Sequence, residues 1–443
     1  MIMKSRFAAF AAVVAFAAPA AAQDDLRASV AADYRARLQD LFIHFHQNPE
    51  LSHREFKTAE RLAAEIKAHG YDVTTGVGGT GVVAVLKNGP GPVVMLRADM
   101  DGLPVEERSG LAYASKARQT DINGVEQPVM HACGHDTHVT ALVGTAKQLA
   151  ERADSWSGTL VLIAQPAEER ISGARDMLKD GLYTKFPKPD FALAFHVSAD
   201  QPAGTVEVPP SIAYSSSDSV DIIVHGVGAH GASPHMGVDP VLVAAQIVVS
   251  LQTLVSRTIA PLEPGVITVG AIHGGTKHNI IGERVEMQLT VRSDNPETRA
   301  KLLDGIDRVA AGVAASLGVP KDKMPEVIRS KTETTPPTIN DAELAGRIRA
   351  LFVERFGDRV VDQPRTGMGA EDFAYFIAPE TGVRGVYFSV GGTPAKDVAT
   401  APSHHSPLFK VQPEPTITTG VEAMVAAAMA LMPKDAAGAA AGE

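Results

Sequence analysis

Hydrophobic and polar residues follow two different patterns along this chain. In the first 211 residues, apolar residues three and four positions apart predict helices, and we place these at residues 27–46, 55–69 and 139–152. Short apolar runs bounded by glycine and proline predict buried strands, at residues 82–86, 93–96, 159–164 and 191–195. Buried strands alternating with helices are typical of a mostly parallel sheet covered by helices on both faces, so we predict an α/β fold.

The order of predicted helices and strands changes at about residue 219. From there the pattern predicts strand, helix, strand, strand, helix and strand, at residues 220–224, 240–254, 266–271, 285–291, 297–317 and 326–331. This β-α-β-β-α-β order is the ferredoxin-like unit. Because the unit is complete in itself, we predict an inserted α+β domain at residues 212–333. It divides the α/β domain into residues 23–211 and 334–432, and an Ala/Gly-rich flexible tail follows at 433–443.

The first 22 residues have the pattern of a secretory signal peptide. Lys4 and Arg6 form a positive start, an apolar run covers residues 7–18, and Ala20-Ala21-Ala22 fits a small-residue cleavage site. The run is shorter than the roughly 20 residues that a membrane-spanning helix needs. We therefore predict export, to a bacterial periplasm or the medium. We expect no later segment long and apolar enough to span a membrane, and hence no membrane contact after cleavage.

Charge and cysteine content narrow the function classes. The 443 residues include 41 Lys and Arg against 51 Asp and Glu, a formal charge of −10 that argues against nucleic-acid binding. Cys133 is the single cysteine, so an intramolecular disulfide is impossible. A lone cysteine is more often a packed thiol than a functional one, unless histidine and acidic residues surround it.

Residue types that bind metals follow the predicted strands of the α/β domain. They occur in five segments, at residues 97–101, 131–138, 165–169, 196 and 403–407. In open α/β sheets the ligand crevice lies at the carboxyl ends of the strands. Taken singly, each residue is more often a hydrogen-bonded polar group, a solvated charge or a helix cap. Five such segments in one domain predict a common site instead.

The ligand chemistry narrows the metal. Thiolate, imidazole and carboxylate suit zinc or a neighbouring divalent transition ion, whereas calcium and magnesium prefer oxygen alone. The candidates outnumber the ligands of one open tetrahedral site, and paired ions are known hydrolytic centres. We predict two divalent ions, zinc first, with manganese, cobalt or nickel as alternatives. Of the adjacent Glu168 and Glu169, one can bind metal while the other faces a water molecule.

Six segments, in order along nearly the whole mature chain, resemble a known family. They are 96–104 (LRADMDGLP), 131–138 (HACGHDTH), 165–169 (QPAEE), 228–235 (GAHGASPH), 368–373 (MGAEDF) and 405–407 (HSP). They are similar to the amidohydrolase branch of the aminoacylase/carboxypeptidase metallopeptidases, which includes hippurate hydrolases, N-acyl-amino-acid amidohydrolases and auxin-conjugate hydrolases. The resemblance implies a metal-dependent exopeptidase-like fold whose inserted domain closes over the cleft and mediates a homodimer or a higher oligomer.

The resemblance also implies which side chains surround the metals. Five residues would hold the two ions: Cys133, His135, Glu169, His196 and His405. Four would orient these ligands from behind: Asp99, Asp101, Asp136 and His138. His405 is preferred to its neighbour His404 because it directly precedes Ser406-Pro407, as in the family motif.

Further roles concern the substrate. Glu168 would be the general base, His230 on the inserted domain would reach the substrate carbonyl, from its own chain or across a dimer, and Asn279 and Arg292 would contact substrate. The chain departs from the family pattern at Arg170, where glycine is usual, and at Gly282, where proline is usual.

These roles imply hydrolysis of the amide bond of N-acyl amino acids, hippurate-like or related conjugates, which releases a carboxylic acid and an amino acid. Glu168 would take a proton from water and then give it to the leaving amine. An exported dipeptidase or carboxypeptidase on the same two-metal centre is the alternative. A non-catalytic binding protein with a structural metal is a third hypothesis. The acyl group, the amino acid and the native metal stay open.

Overall fold

The computed structural model describes residues 20–434, with side chains from residue 25 onward. All but the last three residues of the predicted signal peptide lie outside the described residues, as does all but the start of the predicted tail. The described residues form ten α-helices: α1 Ala20–Asp33, α2 Gln39–Gln47, α3 Phe56–Lys67, α4 His135–Glu151, α5 Gly173–Lys179, α6 Leu182–Lys185, α7 Pro240–Thr253, α8 Pro296–Ser316, α9 Ala342–Phe356 and α10 Pro413–Leu431. Short π-helical turns, Tyr34–Leu38 and Leu254–Thr258, join α1 to α2 and extend α7.

Seventeen strands are found in the same part of the chain. They are β1 Asp72–Val77, β2 Gly81–Asn88, β3 Val93–Asp99, β4 Arg118–Thr120, β5 Glu126–Pro128, β6 Gly158–Gln165, β7 Phe191–Pro202, β8 Val206–Glu207, β9 Ile212–Tyr214, β10 Ser217–His225, β11 Ala229–His230, β12 Gly265–Gly274, β13 Ile280–Ile281, β14 Arg284–Ser293, β15 Glu326–Thr335, β16 Thr338–Ile339 and β17 Arg384–Thr393.

Seven strands form the large sheet, in the order β1-β2-β6-β3-β7-β17-β8. The four central strands, β6, β3, β7 and β17, are parallel, and the outer strands pair antiparallel. The predicted α/β fold is confirmed. The edge strand β1 is not predicted by the pattern, because most of its residues are exposed and it lacks an apolar run.

Both faces of this sheet are buried. In β6, Leu160 and Leu162 pack into the core formed with helices α1 to α4, α9 and α10, while Val161 and Ile163 pack into the core on the opposite face. Burial on both faces explains why the central strands read as continuous apolar runs rather than as alternating ones. It also leaves the strand ends as the accessible part of the sheet.

A second sheet has the order β12-β14-β10-β15, with all neighbours antiparallel. Its elements follow the predicted β-α-β-β-α-β order. Side chains of these strands pack with α7 and α8 into a separate apolar core around Ile222, Ile247 and Ile306. The sheet runs from Ser217 to Thr335, and the domain boundaries at residues 212 and 333 stay a prediction.

One helical stretch of the described chain, Pro240–Thr258, is long and apolar enough to cross a membrane by length and composition alone. The prediction that no segment after residue 22 reaches this limit is therefore wrong, because the π-helical turn lengthens α7. A single such helix is weak evidence for a membrane span. Its inner residues Val243, Ile247 and Leu251 are buried in the core of the second sheet.

Candidate metal centre

The side chains predicted as metal ligands converge beyond the carboxyl ends of the central strands. Sγ of Cys133 lies 3.4 Å from Nε2 of His196. Nε2 of His405 lies 3.4 Å from the Glu169 carboxylate, and Nε2 of His135 lies 3.9 Å from the same carboxylate. Potential ligand atoms of Cys133, Glu169 and His405 all lie within 4.8 Å of one another. All five predicted ligands therefore belong to one cluster.

A glycine turn places two of these ligands. Gly134 caps the N-terminus of α4 with a left-handed conformation (φ 87°). A Cβ atom there would come within 2.4 Å of the Val197 side chain, so the turn needs both the positive φ and the small volume of glycine. Cys133 therefore lies just before the helix, and His135 is the first helical residue. The pattern predicts the helix only from residue 139, because its first turn is composed of polar site residues.

A strained turn presents the two glutamates. Ala167 and Ile171 adopt left-handed conformations (φ 48° and 53°) and bracket a single 3₁₀ turn, Glu168–Arg170. Non-glycine residues seldom adopt this conformation, and it is least favourable for a β-branched one. Within the turn, the backbone N–H groups of Glu168 and Glu169 donate to the Asp101 carboxylate at 3.2 and 3.1 Å. The turn thereby brings both carboxylates close to His135.

The chemistry of the donor set fits divalent cations. His196 donates through Nδ1 to the Val197 carbonyl at 2.7 Å, which leaves the Nε2 lone pair directed toward Cys133. Nε2 of His135 and Oε1 of Glu169 are buried and form no hydrogen bond with any residue described. Buried polar atoms without partners are uncommon. Lone pairs that face one another at these distances repel unless a cation lies between them, so these residues would hold the metal ions.

The pKa values of the cluster reflect its burial and its like charges. Burial, and then the carboxylates of Glu169 and Glu168, raise the pKa of the Cys133 thiol well above its usual range. Burial raises the pKa of Glu169 to about 7 although His135 opposes the shift. Burial and the neighbouring His138 lower the pKa of His196. Divalent cations reverse this situation, since they favour thiolate and carboxylate over the protonated forms.

Four residues predicted to orient the ligands contact a ligand or the elements that carry ligands. His138 donates through Nδ1 to Asp99 at 2.5 Å and accepts the Val197 N–H through Nε2 at 2.9 Å, so neither ring nitrogen is left for a metal. Asp101 lies 3.3 Å from Nδ1 of His135. Asp136, at the start of α4, accepts a hydrogen bond of 2.7 Å from His46.

His404 and His405, which only the family motif distinguishes in the sequence, have different neighbours in the structure. The Ala199 N–H donates to Nε2 of His404 at 3.2 Å, so a neutral ring carries its proton on Nδ1. That Nδ1 lies 3.8 Å from Sγ of Cys133. His404 is therefore placed to donate to the thiolate, whereas His405 lies beside Glu169.

A cavity of about 560 Å³ opens onto this cluster. Among the described residues it is lined by Cys133, Glu168, Glu169, His196, His405 and Arg292, together with Tyr214 and the 369–371 loop. His230 and Asn279 do not line it. Instead, His230 is exposed on β11, and its Nδ1 accepts the Ala232 N–H at 2.9 Å. Arg170 is exposed and does not form part of the wall either.

A fully buried hydrogen-bond network around Arg97 lies next to Glu168, and only Asp99 among its members is predicted from the sequence to orient a ligand. Arg97 donates to Asp99 at 2.6 Å, to Glu371 at 2.6 Å and to Gln165 at 2.8 Å. The Tyr387 hydroxyl donates to the other oxygen of Glu371 at 2.6 Å. The signal in the sequence was a charged residue inside the apolar strand β3, together with the acidic pair of the 368–373 segment.

Known proteins that are similar to this chain include peptidases and amidohydrolases. A family model described as Peptidase family M20/M25/M40 matches residues 95–430. Thermostable carboxypeptidase 2 of Saccharolobus solfataricus is 35% identical over 365 residues, 82% of this chain and 87% of that protein. Hippurate hydrolase of Campylobacter jejuni is 35% identical over 349 residues, 78% of this chain and 86% of that protein.

Among solved structures, the Bacillus subtilis YXEP protein, a dinuclear metal binding peptidase from the M20 family, is similar with a TM-score of 0.72 and 28% identity. The match covers 90% of this chain and 98% of that chain. The family match covers the large sheet from within β3 onward, the whole second sheet and all five clustered ligands. The chain therefore belongs to peptidase family M20/M25/M40 and is a metal-dependent hydrolase.

Proposed function

We propose that the protein hydrolyses the amide bond of N-acyl amino acids and releases a carboxylic acid and an amino acid. The observation that carries this proposal is Arg292, which lines the same cavity as the metal ligands. Its guanidinium is partly buried, and burial lowers its pKa. Among the described residues no carboxylate forms an ion pair with it, and it donates only to the Thr290 hydroxyl at 3.1 Å. The Asp218 carboxylate acts on the guanidinium without forming an ion pair with it, and a partly desolvated cation without an ion-pair partner favours a substrate carboxylate.

The residues divide the chemistry in the following way. When bound, the divalent ions supply Lewis-acid chemistry, which polarises a carbonyl and lowers the pKa of water. Glu168 takes a proton from the attacking water and returns it to the leaving amine nitrogen. Burial and the neighbouring Glu371 raise the pKa of Glu168 well above its usual range, which suits a group that both accepts and donates a proton.

The volume around the cluster supports a substrate with an acyl group of substantial size. A second cavity of about 690 Å³ adjoins the first, and both are lined by Ser198, Asp200, Tyr214, Gly369 and Ser389. Ligand pockets of this order hold drug-sized molecules. Hippurate hydrolase of Campylobacter jejuni acts, by its name, on an aryl-acyl amino acid, which is a substrate of suitable size.

A substrate panel tests the function. Benzoyl-, acetyl- and indole-acyl amino acids are compared with dipeptides at equal concentration, and kcat/KM is measured for each after metal loading. We expect the acyl amino acids to exceed the dipeptides at least about tenfold, because a free α-ammonium group would bring a desolvated charge to the site. A higher kcat/KM for dipeptides would overturn the proposal in favour of a dipeptidase or carboxypeptidase.

We propose zinc as the native metal, on the ground that thiolate and imidazole ligands favour it. The test strips the protein with a chelator and adds back zinc, manganese, cobalt or nickel separately. Zinc should restore the highest activity at the lowest free concentration. Higher activity with manganese than with zinc at equal occupancy would show that the thiolate ligand does not determine which metal the protein prefers.

We also propose a homodimer formed through the helix α7. Its outer face exposes Val241, Leu242 and Val249 to 47%, 58% and 63%, and exposed apolar faces of this kind mark interaction sites. His230, which does not line the cavity of its own chain, would then serve the partner's site. Light scattering should give a dimer for the wild type and a monomer for a Leu242→Glu/Val249→Glu variant.

Complementation tests the role of His230. Mixed dimers of Glu168→Gln and His230→Ala chains contain one intact site if His230 acts across the dimer. Re-assembly of the two inactive variants should then restore about a quarter of the wild-type activity. No recovery after verified mixing would contradict action in trans.

We propose export to the periplasm, supported by the signal-peptide pattern of residues 1–22. Mass spectrometry of protein recovered from the native cell should find Gln23 at the N-terminus. An intact N-terminus on mature protein would contradict export.

A further inference from the structure

Glu55 is a buried carboxylate whose partners lie behind the Glu168–Glu169 turn. It precedes α3 and is 0% exposed. Its Oε1 accepts the backbone N–H of Ala167 at 2.8 Å, and its Oε2 accepts the Thr80 hydroxyl at 2.6 Å. No lysine or arginine of the described chain forms an ion pair with it. A carboxylate that is removed from water without a cation must be retained by its hydrogen bonds.

The helix that follows does not account for this burial. The N-terminus of α3 already has a side-chain partner, because Glu50 accepts the Thr58 N–H at 2.7 Å. The side chain of Glu55 makes no capping hydrogen bond to α3 and is directed to Ala167 instead. Two buried glutamates five residues apart therefore have different partners, one in the helix and one in the catalytic turn.

Ala167 is the residue on which the turn depends. It enters the left-handed region immediately before Glu168, and its carbonyl accepts the N–H groups of Ser172 and Gly173 at 3.3 and 3.2 Å. A strained backbone of this kind persists only where its surroundings hold it. The Glu55 carboxylate anchors the N–H side of Ala167, so it opposes relaxation of the turn toward an ordinary conformation.

The same short segment contacts the turn at two further points. The Ser52 hydroxyl donates to Asp101 at 2.6 Å, and Asp101 in turn accepts the N–H groups of both glutamates. Nε2 of His53 lies 3.1 Å from the Ser172 hydroxyl beyond the end of the turn. Residues 52–55 therefore support the turn at its start and end, and at its middle through Asp101, and Glu55 forms a hydrogen bond with Ala167, one of the two left-handed residues that bracket the turn.

We propose that Glu55 is a positioning residue. Through the Ala167 N–H it holds Glu168 and Glu169 in position relative to the other metal ligands. The proposal rests on the proposed role of Glu168 as the general base. Burial and the nearby Asp101 raise the pKa of Glu55 to about 8. The contact is made by Oε1, which accepts the Ala167 N–H, and because an amide oxygen can accept the same hydrogen bond, glutamine should replace Glu55 well.

The test compares Glu55→Ala, Glu55→Gln and the matched control Glu50→Ala in metal-loaded protein. Glu55→Ala should lower kcat about 10- to 100-fold with KM within about twofold, the loss expected from a small misplacement of a catalytic group. Glu55→Gln keeps an acceptor for the Ala167 N–H and should restore kcat to within about fivefold of the wild type. Glu50→Ala should lower the melting temperature and leave kcat unchanged.

A second measurement requires no substrate. In cobalt-loaded protein, the visible absorption bands report the geometry of the ligands, which include Glu169. Glu55→Ala should shift these bands and weaken cobalt binding, whereas Glu50→Ala should not. This readout separates failure of the positioning role from failure of the proposed substrate class, because it decides the role even if the wild type hydrolyses no N-acyl amino acid.

Three results would overturn the proposal. They are a Glu55→Ala protein with wild-type kcat and cobalt spectrum, equal kinetic losses in Glu55→Ala and Glu50→Ala, or no rescue by Glu55→Gln. If Glu55→Ala does not fold, Glu55→Asp replaces it. This variant keeps the carboxyl group but is too short to reach Ala167 and Thr80 together, and it should show the same loss of kcat and the same spectral shift.

Discussion

Sγ of Cys133 lies 3.4 Å from Nε2 of His196, although 63 residues separate the two in sequence. They meet because Cys133 ends the loop before α4 and His196 lies on β7, a central strand of the parallel sheet. The His196 proton is held on Nδ1 by the Val197 carbonyl. A thiolate and a neutral imidazole whose Nε2 carries no proton would, at this separation, be two of the ligands of a metal site.

We expect Cys133→Ser to lose about one metal ion per chain, because a serine hydroxyl is not deprotonated as readily as a thiol and is a poor ligand. Inductively coupled plasma mass spectrometry measures the stoichiometry. His131→Gln is the matched control, since His131 is also buried nearby but is absent from the ligand cluster. Full stoichiometry in Cys133→Ser would show that the thiol is only packed.

We expect Glu168→Gln to lower kcat about 10²- to 10⁴-fold and to retain its metal, because general acid–base catalysis contributes this much. Steady-state kinetics and metal analysis on the same preparation make the measurement. Glu169→Gln is the comparison, and it should lose metal as well as activity. Turnover at the wild-type rate in Glu168→Gln would end the assignment of the base.

We expect Arg292→Ala to raise KM for N-benzoyl amino acids about 10- to 100-fold, since a charge-assisted contact contributes about 1.5–3 kcal/mol. The matching substrate without a carboxylate, an N-benzoyl amine, should be hydrolysed equally by wild type and variant. Arg284, an exposed arginine at the start of β14, offers the control Arg284→Ala. An unchanged KM in Arg292→Ala would place the substrate carboxylate elsewhere.

The two adjacent histidines should differ in the kind of defect they cause. His405→Ala should reduce the metal stoichiometry. In contrast, His404→Phe should retain it at saturation and bind metal about tenfold more weakly, the lower end of the loss expected when a partner of a ligand is removed. Isothermal titration with zinc measures both. Loss of one metal ion in His404→Phe, together with full metal stoichiometry in His405→Ala, would reverse the two roles.

The buried triad of His46, Asp136 and Glu107 should make stability depend on pH. Burial alone would lower the pKa of His46, but its hydrogen bonds with Asp136 and Glu107 raise it to about 9. A raised histidine pKa stabilises the fold fully below the unfolded value near 6.5, and this stabilisation is lost as the pH rises through about 9. Its size is about 3 kcal/mol.

Urea unfolding of wild type and His46→Gln at pH 6 and pH 9.5 measures this effect. The difference in the free energy of unfolding between the wild type and His46→Gln should be largest at pH 6 and close to zero at pH 9.5. His44→Gln is the control on the same helix, because burial lowers the pKa of His44 and the sign of its pH dependence is opposite. A difference in the free energy of unfolding that is the same at both pH values would contradict a charged His46 in the triad.

The predictability of each element follows from its burial. The strand β6 is predicted because apolar side chains fill cores on both faces. The helix α10 is not predicted, because it is buried almost all round and so lacks an amphipathic period. The first turn of α4 is missed for the opposite reason, since its polar residues face the metal cluster rather than an apolar core.

The site is predictable in its chemistry and less so in its geometry. Ligand types at strand ends indicate one metal cluster, because parallel strands expose their carboxyl ends at the same edge. The pattern assigns no role to Arg97 or Glu55, which form hydrogen bonds with Glu371 and Ala167, 274 and 112 residues away in the chain. Nor does it place His230, which the fold leaves exposed on a short strand outside the cavity.

The sequence by itself determined the α/β class, the ferredoxin-like order of the second sheet and the thiolate, imidazole and carboxylate character of the centre. These properties depend on local periodicity and on residue type. Only the tertiary structure decided that His404 faces the sulfur while His405 faces Glu169, and that Arg292, which forms no ion pair with any described residue, lines the same cavity. Such relationships depend on the order of strands in the sheet and on which lone pairs remain without partners, and both are set by contacts between residues far apart in the chain.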